Sequence, residues 1–289
     1  MNEKQFTVML PIHRSPELLP YAVESVLSQT MEDFDLCIIC DGTPRETVAV
    51  ARNLEKKDRR ITVYDCPKGK RIGEEHRHTV LEKANSTYVA QIADDDLWMN
   101  NHLSELTKLL QEVDFGNLPH VFLSTEGDIQ TYPYDLANIK VQQQMLTENW
   151  NFFGPTVAGY RLSAYRQLGE TWGPAPENMH SDLFMWRKFL RSEKITVGTR
   201  FAITSFVLPN PFHGEKTLAD RATDAAHWWK IIQSADGQAQ IQHDVLQFLV
   251  QKSMASEETQ KDLLLFRSRI TQSRFYQFAH WLLHLKKSG

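Results

Sequence analysis

The sequence predicts an α/β protein with a doubly wound, mainly parallel sheet. The segment from Phe6 to Ile12 is nearly all apolar, as expected of a strand that is buried on both faces. From there to about residue 113, strand-like segments alternate with segments of helical periodicity, and the connections are short. Right-handed crossovers between parallel strands would bring the carboxyl ends of strands one, two and four to a common edge.

Each element of this half has its own signal. Ser15-Pro16-Glu17 predicts the start of the first helix, with Ser as N-cap, Pro in the first turn and an acid beside it. Apolar residues from Leu18 to Leu27 then recur at helical spacing. The later predicted elements are a strand at Leu36–Cys40 that ends at an Asp-Gly turn, a helix that ends near Lys57, a strand at Ile61–Tyr64, a helix at Glu74–Ala84 and a strand at Tyr88–Ala93.

Beyond Val113 the pattern is looser. It predicts strands at Val121–Ser124 and Phe201–Leu208 and a helix at Ser181–Leu190. The polar stretch from residue 132 to 150 gives no assignment. From Asp220 onward the apolar residues recur at helical spacing without a strand signal, which predicts a helical extension over residues 216–289.

Composition excludes several classes of protein. With 289 residues and 42% apolar content, the chain can bury a large core, and its net charge of −4 argues against nucleic-acid binding. We expect no signal peptide, because Met1–Gln5 leads directly into a strand, and no apolar run approaches a membrane span. Three cysteines indicate a reducing compartment. Cys37 and Cys40 lie three apart on a strand and so on opposite faces, which predicts core thiols.

Three adjacent aspartates, Asp94-Asp95-Asp96, follow the fourth strand. Adjacent carboxylates repel each other unless a positive charge lies among them, and divalent cations with oxygen ligands are the usual solution. Ligands of open α/β sheets bind beyond the carboxyl ends of the strands. We therefore expect Asp41, at the end of strand two, to face the same cleft as the aspartate run.

These residues belong to a longer series of motifs. In chain order it comprises Pro11-Ile12-His13-Arg14, Ser25-Val26-Leu27-Ser28-Gln29-Thr30, Cys40-Asp41-Gly42-Thr43, His76-Arg77-His78, Ala93-Asp94-Asp95-Asp96, Ser181-Asp182-Leu183-Phe184-Met185-Trp186 and Phe212-His213-Gly214. Each is weak alone, but their order is specific. On these motifs, the chain resembles the family-2 glycosyltransferases with the GT-A fold over most of residues 6–215.

The resemblance implies transfer of a sugar from a nucleotide-diphosphate donor, with a UDP-sugar favoured, to a hydroxyl of a carbohydrate or glycolipid acceptor. It also implies inversion, a role in glycan or polysaccharide biosynthesis, and a Mn²⁺ or Mg²⁺ ion that stabilises the leaving diphosphate. Residues 1–112 would bind the nucleotide sugar and residues 113–215 the acceptor. The implied roles are metal binding for Asp95, Asp96 and His213, nucleotide-sugar binding for Pro11, His13, Arg14, Asp41, Arg77 and Asp94, and catalytic base for Asp182.

The sequence also departs from the family pattern. Ala93 replaces the first aspartate of the Asp-x-Asp motif, and Ser181 replaces the glutamate before the implied base. These departures are the best support for an alternative, a catalytically silent scaffold that binds a nucleotide or glycan. Neither removes the implied metal or base position, so an active enzyme is the favoured interpretation. A second alternative is a nucleotidyltransferase, which would show a Gly-rich loop with Lys or Arg after strand one, where Pro11-Ile12-His13-Arg14 stands.

The implied site residues have structural interpretations as well. Asp41 before Gly42 is typical of a turn, Asp182 of a helix start, and Arg77 of a surface partner for Glu74 or Glu75; His213 fits an incidental loop histidine. Aromatic rings can stack on sugar faces or fill a core. That choice stays open here for Trp150, Trp172 and Trp186.

The C-terminal segment is basic and amphipathic, with apolar residues from Phe275 to Leu285 and basic residues from Arg267 to Lys287. Such a helix can close the core, form a homodimer or lie on an anionic membrane. We expect a cytoplasmic protein, with peripheral contact at the inner face of the membrane as the alternative.

Overall fold

A computed structural model describes residues 3–123, 129–208 and 216–272, with side chains of the last segment described to residue 265. The chain divides into two compact units, residues 1–242 and 243–289. The division between catalytic domain and helical extension at residues 215 and 216 stays a prediction. Among the described helices, none is long and apolar enough to cross a membrane.

The first half of the chain alternates strands and helices as predicted. Its elements are β1 (Lys4–Ile12), α1 (Leu19–Leu27), β2 (Phe34–Asp41), α2 (Arg45–Lys57), β3 (Ile61–Cys66), α3 (Glu74–Lys83) and β4 (Ser86–Gln91). The four strands pair in parallel in the order β3-β2-β1-β4.

The second half adds shorter strands and more helices. Its elements are β5 (Leu97–Trp98), α4 (His102–Glu112), β6 (Phe115–Asn117), β7 (Val121–Leu123), β8 (Ile129–Gln130), α5 (Ile139–Thr147), a 3₁₀ turn (Pro155–Val157), β9 (Ala158–Arg161), α6 (Leu162–Gln167), α7 (Ser181–Leu190), β10 (Val197–Thr199), β11 (Ser205–Val207), α8 (Leu218–Ile232) and α9 (Ala235–Gln272).

The main sheet has the strand order β10-β6-β9-β4-β1-β2-β3. β9 lies antiparallel between β4 and β6, and all the other neighbours are parallel. A smaller sheet has the order β5-β11-β7-β8. The prediction of a doubly wound, mainly parallel α/β fold is confirmed. Because β1 lies between β2 and β4, the segments after Ile12, Asp41 and Gln91 meet at one edge.

Buried side chains cover both faces of the main sheet. On one face Val8, Leu10 and Ile38 pack with residues of α1 and α4. On the other face Met9 and Val89 pack with residues of α3 and α7. Cys37 and Cys40 are free thiols that fall in these two different clusters, so their prediction as core residues is confirmed.

Several predicted bounds are wrong. The first helix begins at Leu19 and not at Ser15, with Pro20 in its first turn. Pro20 has no N–H to donate, so it is tolerated in a first turn but would break a hydrogen bond inside a longer helix. The predicted strand at Phe201–Leu208 is reduced to Ser205–Val207, and the unassigned polar stretch contains the helix α5.

Candidate active site

The three aspartates after β4 are all buried, with 2–6% of each residue exposed. Asp95 is held by two arginines, since its Oδ2 accepts hydrogen bonds from Arg14 Nη1 at 3.1 Å and from Arg221 of α8. The repulsion expected within the aspartate run is therefore offset by two guanidinium groups.

Asp94 and Asp96 have different surroundings. Asp94 Oδ2 lies 3.0 Å from Arg14 Nε, but their alignment does not make a hydrogen bond, and this oxygen has no hydrogen-bond partner in the described part of the chain. Burial and the charge of Asp95 raise the pKa of Asp94 to about 7. Asp96 instead accepts hydrogen bonds from the Thr156 hydroxyl and from the Leu208 N–H at 3.2 Å. Asp94 Oδ2 is thus ion-paired with Arg14 without a hydrogen bond, whereas both oxygens of Asp96 accept hydrogen bonds.

Asp41 is covered by the segment Pro67–Gly73, which we call the basic loop. Its carboxylate accepts hydrogen bonds from the Lys68 ammonium and from the Gly69 N–H at 2.6 Å. Burial raises the pKa of Asp41, but these two hydrogen bonds outweigh it and the pKa is lowered. The loop ends at Gly73, which has a φ of +65° and packs against Asp41. A Cβ at this position would lie 2.5 Å from Asp41 Cγ. Only glycine lets the backbone approach the carboxylate this closely.

A cleft of about 590 Å³ opens at this edge of the sheet, and we call it the first cleft. Predicted site residues that line it are Pro11, His13, Arg14, Arg77, Asp94 and Asp182. Asp41 is not among its lining residues. Arg71 of the basic loop reaches across the cleft, where Nη1 donates to the Pro176 carbonyl at 2.6 Å and Nη2 to the Met179 carbonyl at 3.1 Å. The basic loop is thereby tied to the segment that precedes α7.

Arg77 is only 4% exposed, so it is not the surface partner of Glu74 or Glu75 that one interpretation suggested. Its guanidinium lies over the Trp172 ring, 4.8 Å from the centroid. Its Nε and Nη1 have no hydrogen-bond partner among the described residues. A buried cation with unsatisfied donors that lines a cleft is suited to an anionic ligand.

Asp182 lies in the first turn of α7 and is half-buried. Its Oδ1 accepts a hydrogen bond from the Leu183 N–H at 2.7 Å, and its Oδ2 accepts one from Asn151 Nδ2 at 3.0 Å. Burial raises the pKa of Asp182 in spite of the Leu183 hydrogen bond. A carboxylate of raised pKa that faces a cleft can accept a proton from a bound hydroxyl.

A second cleft, of about 540 Å³, shares the residues Ala93, Pro155, His180 and Asp182 with the first. Its wall is largely aromatic and includes Tyr132, Tyr134, Trp150, Phe152 and Phe153. The ring of Trp150 is held between Tyr134 at 5.1 Å and Phe152 at 5.7 Å. Asp182 therefore lies where a cleft with charged side chains meets a cleft with an aromatic wall.

The three tryptophans noted in the sequence have separate positions. Trp150 lines the second cleft and Trp172 lines the first. Trp186 is 1% exposed and stacks on Phe153 at 5.6 Å, so it belongs to the core. The sequence alone could not separate these positions, because burial depends on contacts between distant segments.

Two contributors to the site were not predicted from the sequence. Lys68 belongs to a loop of three basic residues and two glycines between a strand and a helix, a composition typical of anion-binding loops. This loop lies after β3, whereas a nucleotidyltransferase would carry such a loop after β1. Arg221 lies outside every motif, and no sequence signal marks it.

A divalent metal is implied by the resemblance, and three observations bear on it. Within residues 3–123, 129–208 and 216–272, no three His, Cys, Asp or Glu side chains converge as a ready-made metal site. The unsatisfied oxygen of Asp94 nevertheless fits a hard cation. His213 lies outside the described residues.

The parallel sheet, with acidic residues at the carboxyl ends of its strands and two adjoining clefts, defines a GT-A-like fold. The sequence profile of "Glycosyl transferase family 2" matches residues 7–169. The chain belongs to this family, and the predicted family and fold class are confirmed.

Named relatives agree with this assignment. The succinoglycan biosynthesis protein ExoW of Rhizobium meliloti (strain 1021) is 36% identical over 174 residues, which cover 51% of this chain and 52% of ExoW. The GalNAc(5)-diNAcBac-PP-undecaprenol beta-1,3-glucosyltransferase of Campylobacter jejuni subsp. jejuni serotype O:2 is 26% identical over 129 residues, which cover 43% of this chain and 40% of that enzyme. The chain thus spans about half or less of the length of these relatives.

Solved structures show the same fold. Residues 1–349 of S. aureus TarS match with a TM-score of 0.56 at 14% identity, over 85% of this chain and 70% of that one. TarS has also been solved with UDP-GlcNAc. The mannosyltransferase PcManGT from Pyrobaculum calidifontis, in complex with GDP-Man and Mn²⁺, matches with a TM-score of 0.51 at 11% identity, over 96% of this chain and 83% of that one.

Proposed function

We propose that this protein transfers a sugar from a nucleoside diphosphate sugar to a hydroxyl group of a carbohydrate or glycolipid acceptor, with inversion and with a divalent metal. The observation that carries the proposal is the position of Asp182 at the junction of the two clefts. A donor in one cleft and an acceptor in the other would meet at this carboxylate.

The first cleft would hold the donor. Arg14 and Arg77 supply guanidinium groups for the diphosphate, and a guanidinium matches phosphate in both charge and shape. Asp41 lies buried beneath the basic loop and does not line this cleft, so its proposed contact with the nucleoside requires Lys68 and Gly69 to move away from its carboxylate. Pro11 and His13 follow β1 and complete the wall.

The resemblance implied Asp95 and Asp96 as metal ligands and Asp94 as a donor contact. We instead propose Asp94 and Asp95 as the metal ligands, because Asp94 Oδ2 has no hydrogen bond among the described residues, whereas both oxygens of Asp96 are engaged by Thr156 and Leu208. A bound Mg²⁺ or Mn²⁺ ion supplies positive charge to the leaving diphosphate. The family assignment and the Mn²⁺ complex of PcManGT also support a divalent metal.

Asp182 would act as the base. The acceptor oxygen forms a bond to the anomeric carbon as the bond from that carbon to the diphosphate oxygen breaks. The acceptor proton passes to the Asp182 carboxylate, and the diphosphate leaves with the bonding electrons. Attack from the face opposite the leaving group inverts the anomeric centre, and a general base contributes roughly 10²–10⁴-fold to such a step.

The second cleft would bind the acceptor. Its aromatic wall offers flat apolar surfaces for sugar rings, with Trp150 and Tyr134 as the proposed stacking partners. The name of the Campylobacter relative specifies an undecaprenol-linked acceptor, and ExoW is named for succinoglycan biosynthesis. These names support a carbohydrate or glycolipid acceptor in polysaccharide biosynthesis. Peripheral membrane contact or dimerisation through the C-terminal helices stays a proposal, in line with the exposure of Leu246, Met254 and Leu263 on α9.

The test is a panel of UDP- and GDP-sugars with Mn²⁺, Mg²⁺ or EDTA, first as ligands in thermal unfolding and then as donors. We expect one donor to raise the unfolding midpoint only with metal, because a ligand of the native state stabilises that state. That donor should also be consumed, and NMR of the product should show an inverted anomeric centre. Binding without turnover, with a range of sugar acceptors, would instead establish the silent scaffold.

A further inference from the structure

Gln91 is a polar residue of the first cleft that none of the sequence motifs includes. It is the last residue of β4, two residues before Ala93, and it lines the cleft although only 3% of the residue is exposed. Its Oε1 is buried and has no hydrogen-bond partner within the described ranges of the chain. A buried acceptor without a partner destabilises the native protein, so the presence of this amide requires a reason.

The side chain of Gln91 lies on the face of the main sheet that α3 and α7 cover. Side chains two residues apart on a strand share a face, and Val89 belongs to the apolar cluster on that face. Met9, which is paired with Gln91 between β1 and β4, belongs to the same cluster. The amide is therefore the polar end of an apolar row. It lies on the side of the sheet where α3 carries Arg77 and α7 carries Asp182.

The chemistry of an amide indicates what Gln91 could bind. Its N–H groups donate and its carbonyl accepts, so the unsatisfied Oε1 needs a ligand group that donates. The diphosphate of a donor offers only acceptors, and Arg14 and Arg77 already supply guanidinium groups to this cleft. A hard cation would be held by carboxylates, which the aspartate run provides. A sugar hydroxyl both donates and accepts, so it matches the amide best.

We infer that Gln91 hydrogen-bonds a hydroxyl group of the donor, either of its ribose or of the transferred sugar, and so contributes to the choice of donor. The inference rests on the proposed function. The nucleobase fits less well, because its side of the donor is assigned to Asp41 at the end of β2, and β1 lies between β2 and β4. At least two strand spacings, about 10 Å, therefore separate the backbones of Gln91 and Asp41.

The test variant is Gln91→Met, because methionine has a similar length and volume and no polar group that needs a partner. Gln29→Met is the matched control. Gln29 is also 3% exposed, but it is not among the residues that line either cleft, and its amide is fully engaged. Its Nε2 donates to the Ser25 and Met99 carbonyls at 3.0 and 2.7 Å. Its Oε1 accepts a hydrogen bond from the Leu103 N–H at 2.9 Å.

Thermal unfolding of the free protein gives the first comparison. The unfolding midpoint of Gln91→Met should be unchanged or higher, because the substitution removes an unsatisfied acceptor. The midpoint of Gln29→Met should fall, because its hydrogen bonds are lost and the backbone groups that made them stay buried. A fall for Gln91→Met as large as that for Gln29→Met would overturn the inference, since the amide would then serve the fold.

Calorimetry in Mn²⁺ gives the second comparison. The probes are UDP, 2′-deoxy-UDP, 3′-deoxy-UDP and the UDP-sugar that the donor panel identifies, with the guanosine series substituted if the wild type prefers it. We expect Gln91→Met to weaken binding by about 3- to 10-fold, the scale of one hydrogen bond between neutral groups. A loss for UDP that disappears with one deoxy nucleotide assigns the contact to the ribose. A loss for the UDP-sugar alone assigns it to the transferred sugar.

Two binding results would overturn the inference. One is an unchanged affinity for every probe, as expected if the amide only holds a buried water. The other is a loss for UDP that both deoxy nucleotides share equally, because no ribose hydroxyl would then be involved. Gln29→Met should bind every probe as the wild type does. Both overturning results leave the proposed function standing, whereas a wild type that binds no nucleoside diphosphate and no nucleotide sugar would contradict both proposals.

Discussion

Asp182→Asn separates catalysis from binding. The loss of stability that this substitution causes can be estimated from the hydrogen bonds of the carboxylate. The Leu183 N–H would still find an oxygen on asparagine. The new amide nitrogen would face Asn151 Nδ2, and neither nitrogen can accept a hydrogen bond from the other. Asn151 is held in its orientation, because its Nδ2 also donates to the Phe153 carbonyl at 2.7 Å. One hydrogen bond is lost and one donor is left unsatisfied, so the free energy of unfolding should fall by about 1–3 kcal/mol.

The catalytic loss should be much larger. We expect kcat to fall by roughly 10²–10⁴-fold, because asparagine cannot accept the acceptor proton. The donor dissociation constant should stay within about 2-fold, a change of under 1 kcal/mol. The assay is initial-rate kinetics with a competent acceptor, alongside calorimetry with the nucleoside diphosphate and thermal unfolding.

Asp58→Asn is the matched control, because Asp58 also accepts hydrogen bonds from a backbone N–H and from a side chain, both of Arg60. It should leave kcat unchanged. The wild-type kcat should fall toward acidic pH as Asp182 becomes protonated, and burial, which raises the pKa of Asp182, shifts that limb to higher pH than for an ordinary aspartate. Full activity of Asp182→Asn would refute the base assignment.

Three further substitutions test the proposed roles of Asp95, Asp41 and Trp150. Asp95→Asn should abolish metal-dependent nucleotide binding in calorimetry. Its free energy of unfolding should fall by about 3–5 kcal/mol, because Arg14 and Arg221 lose a buried anion. Retained metal-dependent binding would mean that the metal binds elsewhere. Asp41→Ala should weaken nucleotide binding by about 1–3 kcal/mol. An unchanged dissociation constant would mean that Asp41 only holds the basic loop in place. Trp150→Ala should raise the acceptor KM by roughly 2- to 10-fold with the donor KM unchanged, whereas a change in the donor KM alone would exclude acceptor stacking.

Local patterns predicted much of the fold. The bounds of α7 agree with the predicted Ser181–Leu190, because Leu183, Trp186 and Leu190 recur at helical spacing. The strands of the parallel sheet were recognisable because burial on both faces makes them almost wholly apolar. The handedness of the crossovers predicted that strands one, two and four end at a common edge, and the position of β1 between β2 and β4 agrees with that prediction.

Features that depend on distant contacts were not predictable. β9 enters the sheet antiparallel between β4 and β6, and its four residues carry no signal for that direction. The same holds for Asp96, which is adjacent to Asp95 in the sequence but is bound to Thr156, 60 residues away. Residue type and motif position predicted an acidic cluster, whereas the division of roles within it depends on which segments pack against each carboxylate.

The departure from the family pattern at Ala93 can be explained by the crowding of negative charge in the aspartate run. Ala93 lines both clefts, and its N–H donates to Thr156 Oγ1 at 3.1 Å, so its backbone already helps to fix the aspartate run. Burial and the Asp95 charge raise the pKa of Asp94 to about 7, which shows how costly negative charge is here. A fourth carboxylate at position 93 would add to that cost. Alanine avoids this repulsion at a position that lines the first cleft beside Asp94.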